Sequence, residues 1–440
     1  MNQTTLKRDH LKWSLQDNLD NHPLLAPAIY HGPVASSAAS GKQLISLANL
    51  GLLPSLSGSD GEGGYSTEGD IVNATTDGVD INALWAEFQA VLAIYNEKRK
   101  ALIALITYQV TQLIETVPQV GEATFEMASE FGEPRSTRPL LSYFQLAYDF
   151  HDYDLATRFT WKFLRDADAR QVQAIHDQAL GADTRLIFKK VMEALWNKAN
   201  RDADINKQNY TVFALYNGDG AIPPTYKGMT FTGSHSHYMT SGNAVVDSGD
   251  LEDMYENIAE HGYGIEQGTT FVLMCNKEDI KEIRKFRFGV TNNNAAVADF
   301  DFIPAATQPA LIVPNEAGLL GSRPPSSWNG LPVIGSYAGI LIVEESYIPA
   351  GYMLMLGSGG EGNLQNPVGL REHANPAYRG LRLLPGNQQR YPLIDSYYAR
   401  AFGTGIRQRG GAAIMMLGGD GTSATYTVPP VYANNGVLAA

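Results

Sequence analysis

The residues with the clearest chemical potential lie between Tyr216 and Gly242, in YNGDGAIPPTYKGMTFTGSHSHYMTSG. His235 and His237 stand two apart, a spacing that puts both imidazoles on one side of an extended strand. Histidines so placed bind zinc in some enzymes when a third ligand and a general base join them. His261, in AEHGY, is the candidate third ligand, and Asp219, Asp247 and Glu260 are candidate acids. Spacing does not fix their distance from the pair. No HExxH, no HxE with PCxxC and no cysteine pair accompanies them. Two readings follow: a zinc-dependent hydrolase using His235, His237 and His261, or strand and turn histidines that hold no metal. The second is the expectation carried forward.

Other chemistries find less support. The glycine clusters at 58–64, 357–363 and 418–422 do not continue into GK[ST], and Gly41-Lys42 is followed by Gln43, so no phosphate cradle is indicated. There is no GxSxG pentapeptide for a nucleophile elbow. The single cysteine, Cys275, lies in the apolar run FVLMC and reads as a buried, inert thiol. It excludes an intrachain disulfide framework and fits folding in a reducing compartment. No catalytic, cofactor or metal site is therefore expected.

The elements that would position these residues are those of a long chain with several cores, since single cores stop growing near ~250 residues. Of its 440 residues 18% are charged, against a usual ~25%. The balance is 33 basic to 46 acidic residues, a net charge of -13, with no Lys/Arg block to track phosphates. That argues against tight or sequence-specific nucleic-acid binding but suits a surface that encloses nucleic acid without holding it. The longest apolar run, 101–106, is far short of the ~20 residues of a membrane span, and the N-terminus lacks a signal-peptide core.

Residues 1–79 carry short apolar pieces broken by Pro, Gly and Ser and cannot close a core alone; they read as an extended arm. Asp80 then stands as a helix N-cap, and Leu84, Phe88, Val91 and Tyr95, then Leu102, Ile106, Val110, Leu113 and Val117, predict an amphipathic helix over 80–118 with a bend at NEKRK. The aromatic stretch 119–162 predicts two long strands joined by a turn at 132–139, a ribbon with no core of its own. Helix returns over 167–200 with a break at Leu180–Asp183. Short helices at LEDMYENIAEH and KEDIKEIRKF and strands within 331–357 follow, and no internal repeat is present.

This order of parts resembles the major capsid proteins of tailed bacteriophages, the fold family first seen in a Hong Kong coliphage. YNGDGAIPPTYKG looks like the family's segment after its spine helix. LEDMYENIAEHGY with TTFVLMCNKEDIKEI looks like the helix, strand and helix of its axial lobe. GLPVIGSYAGILIVEESYIPAGYMLML and YYARAFGTGIRQRGGAAIMML look like its late strands, particularly in phages of actinobacteria. The resemblance covers roughly residues 80–420 and implies an α+β capsid fold. Its parts would be an N-terminal arm (1–79), an arm-proximal helix (80–118) and an extended hairpin loop (119–162). A peripheral domain (163–205 with about 361–420), an axial domain (206–360) and a C-terminal tail (421–440) would follow.

The function implied is that of a coat protein, not an enzyme. Hexamers and pentamers of the chain would form an icosahedral shell around double-stranded DNA, with no sequence-specific binding and no membrane. Separate scaffolding, portal and, in some members, decoration proteins are the implied partners. The implied location is the virion capsid, assembled in the host bacterial cytoplasm. An encapsulin-like nanocompartment shell enclosing a cargo enzyme is the alternative. The hairpin tip, with Glu130, Glu133, Arg135 and Arg138, is the expected inter-subunit contact. Some members cross-link through a lysine on this loop, but there is no lysine between Lys100 and Lys162 here.

Overall fold

The computed structural model describes residues 74–97, 101–118, 125, 127–128, 130–133, 143–205, 207–306, 323–386 and 393–433. The arm up to residue 73, Arg135 and Arg138 at the hairpin tip, and the tail from 434 lie outside the described residues. In chain order the first half contains α1 (Ile81–Glu97), α2 (Ala101–Ile106), β1 (Thr107–Val110), β2 (Ile114–Pro118), β3 (Tyr143–Ala147), β4 (His151–Thr160), α3 (Trp161–Asp166), α4 (Ala169–Trp196), β5 (Arg201–Ile205) and β6 (Gln208–Val212). Then follow β7 (Tyr238–Thr240), α5 (Ser248–Ala259), β8 (Thr270–Cys275), α6 (Lys277–Ile283), β9 (Ile303–Pro304), β10 (Ser327–Trp328), β11 (Leu331–Tyr337), β12 (Ile340–Glu344) and β13 (Tyr352–Ser358). The last strands are β14 (Val368–Arg371), β15 (Arg382–Pro385), β16 (Leu393–Ile406) and β17 (Ala412–Met416). Mixed helix and sheet agrees with the α+β expectation.

The described residues group into two compact units, one within Met1–Ala101, Phe150–Phe188 and Glu372–Gly403, the other within Leu102–Asp149, Lys189–Arg371 and Thr404–Ala440. In the first, α1 buries Ile81, Leu84, Trp85, Phe88 and Leu92 at the spacing of one helical face, against Phe159, Leu164, Val172, Leu180, Leu383 and Tyr398. Strand β16 is paired on both sides. It runs antiparallel to β4 from Leu393 opposite Thr160 to Phe402 opposite His151, and antiparallel to β15 from Arg382 opposite Ala399.

Three expectations are corrected here. The helix over 80–118 ends at Ile106: the aromatic and β-branched residues after it favour strand, and Thr107 turns its hydroxyl back to the Ile103 carbonyl at 2.8 Å. No break occurs at Leu180–Asp183, because one helical glycine costs only about 1 kcal/mol against alanine. Buried Leu180 and the bonds of Asp183 to Tyr95 Oη (2.9 Å) and Arg400 Nη1 (2.8 Å) hold that turn in register. Finally, 119–162 is not one hairpin. The ribbon is β2 with β3, from Ile114 opposite Ala147 to Pro118 opposite Tyr143, whereas β4 finds its partner in β16.

The second unit is built on an eight-stranded mixed sheet with the order β10-β11-β12-β8-β13-β17-β7 and β9 paired to β11. Central β8 lies parallel to β12 and antiparallel to β13, so Phe271 to Cys275 are all buried. Strand β17 sits between β13 and β7. Its run Ala412 to Met416 is almost wholly buried, which suits a central strand and no other place in the sequence's scheme. Helix α5 begins at Ser248 rather than after Asp250. Asp247 and Asp250 form a reciprocal capping box, and Leu251, Met254 and Ile258 pack into the core. Cys275 lies in that core, as the sequence indicated. Among the described residues no helix is long and apolar enough to cross a membrane.

Candidate functional site

The structure gathers His235, His237 and His261 into one cluster in the second unit. Their Nε2 atoms form a triangle: 3.1 Å from His235 to His237, and 3.0 Å from each of these to His261. Three elements converge to place them. The segment before β7 is held by Gly218 N–H donating to the His235 carbonyl (3.0 Å) and His237 N–H donating to Tyr216 (2.7 Å), and Ile414 of β17 donates to the His237 carbonyl (2.8 Å). His261 follows the end of α5 and donates its amide to Ile258 (3.2 Å). The turn continues through Gly262 at φ +88, where a side chain would collide with the Tyr226 ring. Gly410 is needed for a different reason, since a Cβ there would stand 2.8 Å from His261 Cγ.

The rings are packed by aromatic neighbours. Phe231 stacks on His261 at 4.5 Å between centroids, and Tyr216 on the same ring at 5.6 Å. His237 is fully buried, with Nδ1 2.8 Å from the Ala412 carbonyl oxygen. Only a protonated Nδ1 can make that bond, so its Nε2 carries the lone pair when the ring is neutral. Burial pulls all three histidines below their ordinary pKa, His261 to about 3 and His237 well down, with the neighbouring imidazoles adding to the effect on both.

The candidate acids are placed elsewhere. Asp219 bonds to Arg409 Nη2 (2.8 Å) and Asn200 Nδ2 (2.9 Å); burial raises its pKa, but these hydrogen bonds and the guanidinium charge outweigh it and hold the carboxyl below its ordinary range. Asp247 caps α5 and Glu260 ends it. Among the described residues, no carboxylate completes the histidine group. The hydrolase reading therefore lacks its general base.

Sequence reasoning missed Arg409 altogether. Its buried guanidinium donates to the carbonyls of Ala214 (2.8 Å) and Leu215 (3.2 Å) as well as to Asp219, and it lies over the Tyr216 and Phe213 rings at 4.7 and 5.0 Å. It fixes the Gly-Asp-Gly segment that leads to the histidines. In RQRGG nothing marks one arginine as buried.

The ribbon β2–β3 is anchored at its base by a second polar network. Tyr148 Oη donates to Glu115 Oε2 (2.9 Å) and meets Tyr108 Oη (2.9 Å), while Arg407 Nε lies 2.8 Å from Glu115 Oε1. Beyond the base, Phe125, Met127 and Phe131 are all but completely exposed, and Glu130 and Glu133 at the tip are exposed. Large exposed apolar side chains of this kind commonly mark interaction surfaces.

Among solved structures, a chain from Mycobacterium phage Patience is 54% identical, and the likeness covers 83% of this chain and 97% of that one with a TM-score of 0.66. The chain belongs to the major capsid proteins of tailed bacteriophages. This capsid protein has fainter likenesses to the capsid of an empty GTA particle and to the holo-SrpI encapsulin complex from Synechococcus elongatus. The first is 10% identical over 73% of this chain and 91% of that one (TM-score 0.41), the second 11% over 78% and 98% (TM-score 0.38), and neither carries weight. No protein-family model and no curated protein matches the sequence. The family is one of structural proteins that self-assemble into shells, which places this one in the virion capsid.

Proposed function

We propose that hexamers and pentamers of this capsid protein close an icosahedral shell around double-stranded DNA, and that the chain has no catalytic role. The observation that carries this reading is the 54% identity over most of the chain to a component of an actinobacterial phage. The net charge of -13 agrees with a wall that confines DNA without gripping it. The segment between β2 and β3 reaches a neighbouring subunit, which covers Phe125, Met127 and Phe131; Glu130, Glu133, Arg135 and Arg138 make the charged part of that contact. The unit holding the mixed sheet supplies the axial domain, with β17 added to the expected span 206–360, and α4 serves as the spine of the peripheral domain. A separate scaffolding protein directs assembly in the host cytoplasm, a portal takes one vertex, and a decoration protein is an optional addition.

The test is co-expression with the scaffolding protein, followed by negative-stain imaging and extraction of nucleic acid from particles purified from infected cells. Regular shells containing full-length phage DNA are expected. Particles filled with a cargo enzyme and free of DNA would instead establish a nanocompartment.

A further inference from the structure

We propose that His235, His237 and His261 together bind one divalent transition-metal ion of the zinc type through their Nε2 atoms. The first argument concerns protons. A ring nitrogen of a neutral imidazole carries either a proton or a lone pair. Three atoms share two states, so at least two are alike, and at least one of the three contacts at 3.0–3.1 Å sets lone pair against lone pair or N–H against N–H. No arrangement of protons on neutral rings satisfies this triangle. A cation at its apex satisfies all three nitrogens at once.

The second argument is geometric. With metal–nitrogen bonds of about 2.0–2.1 Å, an ion would stand roughly 1 Å off the plane of the three nitrogens with N–metal–N angles near ~95°, a three-coordinate cap that leaves further positions for water. Imidazole sets favour zinc, copper or nickel over calcium or magnesium, which take oxygen ligands. The third argument is the support behind the ligands. His237 Nδ1–H donates to the Ala412 carbonyl at 2.8 Å, an outer bond of the kind that fixes the tautomer of a metal-bound histidine. Phe231 and Tyr216 hold the His261 ring from its faces, and Gly410 leaves the space it occupies. With no carboxylate in the group, the ion's role is structural: it ties the segment entering β7 to the turn after α5.

The experiment uses the full chain, both as unassembled protein and as particles, purified without chelator or metal-affinity steps, so that its outcome does not depend on shell formation. After dialysis against a small excess of zinc and then metal-free buffer, elemental analysis should give about one zinc per chain. Cobalt(II) loaded in its place should show visible d–d absorption that zinc abolishes. His235→Asn with His261→Asn should lower the metal content at least tenfold. If that variant does not fold, the single variant His261→Gln and the cobalt spectrum of the wild-type chain decide the matter. Wild-type protein with less than a tenth of an equivalent of metal and no cobalt bands would overturn the proposal, and so would full metal retention by the double variant.

Discussion

Replacing Arg409 by Met keeps the length and apolar contacts of the side chain and removes only its charge and donors. The loss has three parts. The carbonyls of Ala214 and Leu215, now accepting at 2.8 and 3.2 Å, lose their donor. Asp219 keeps the Asn200 amide at 2.9 Å and the Ala221 N–H at 3.2 Å, but no opposite charge. Two orphaned carbonyls at about 1–3 kcal/mol each put the loss near 4 kcal/mol, and Asp219, which lies at the surface, adds a smaller share because water can replace its partner. At about 2–4 °C per kcal/mol for a unit of this size, the melting midpoint should fall by roughly 6–20 °C. Calorimetry of the unassembled chain measures it, and Arg409→Met with Asp219→Asn should recover part of the loss, since the stranded charge is gone. A single variant melting within about 2 °C of wild type would show that Arg409 does not fix the Gly-Asp-Gly segment.

A pH dependence follows from Asp250, whose carboxyl burial pushes up to about 7, with Asp247 and Asp253 as nearby like charges and the Asp247 amide opposing. Its folded value lies above the unfolded one, so its contribution is intact below pH ~4 and is lost as pH rises towards 7, by up to about 4 kcal/mol. Asp250→Asn, which can still accept from the Asp247 amide, should flatten this slope in urea titrations at pH 4.5 and 8; an unchanged slope would assign it to other groups. Reversing the tip with Arg135→Glu and Arg138→Glu should leave secondary structure by circular dichroism intact but give monomers or capsomers on sedimentation. Normal particle yield would place the anchoring elsewhere. Because 101–161 contains no lysine, boiled particles should run near 47.9 kDa on a denaturing gel, and a ladder resistant to reductant would refute noncovalent assembly.

Local chemistry was the legible part of this sequence. Leu84, Phe88 and their partners mark the buried face of α1, and Leu251, Met254 and Ile258 that of α5, because helical periodicity is written in consecutive residues. The start of α5 is less legible, because Asp247 and Asp250 both act at the same end. What could not be read was which distant segment completes a pairing. HDYDLATRFT alternates as a ribbon strand would, yet its partner is more than two hundred residues away in β16. His261 likewise joins His235 and His237 only after β7 and α5 have folded back, and a separation of 24 positions from His237 encodes no distance. Arg409 lies at the far end of this scale, since an arginine among glycines reads as surface until the aromatic rings around it are seen.

The place of β17, late in the chain yet inside the sheet, decides what a shortened chain would lack. Strands β7 and β13 lie on either side of it, so until residues 412–416 leave the ribosome both present unpaired backbone over hydrophobic residues. A nascent chain halted before that point has most strands of the sheet but not the one that joins β13 to β7, and open edges of this kind pair readily with another chain. Loop closure of this length is slow, and the exposed edges are the ones that stick. A product cut short before residue 412 therefore carries two open strand edges and is prone to aggregate.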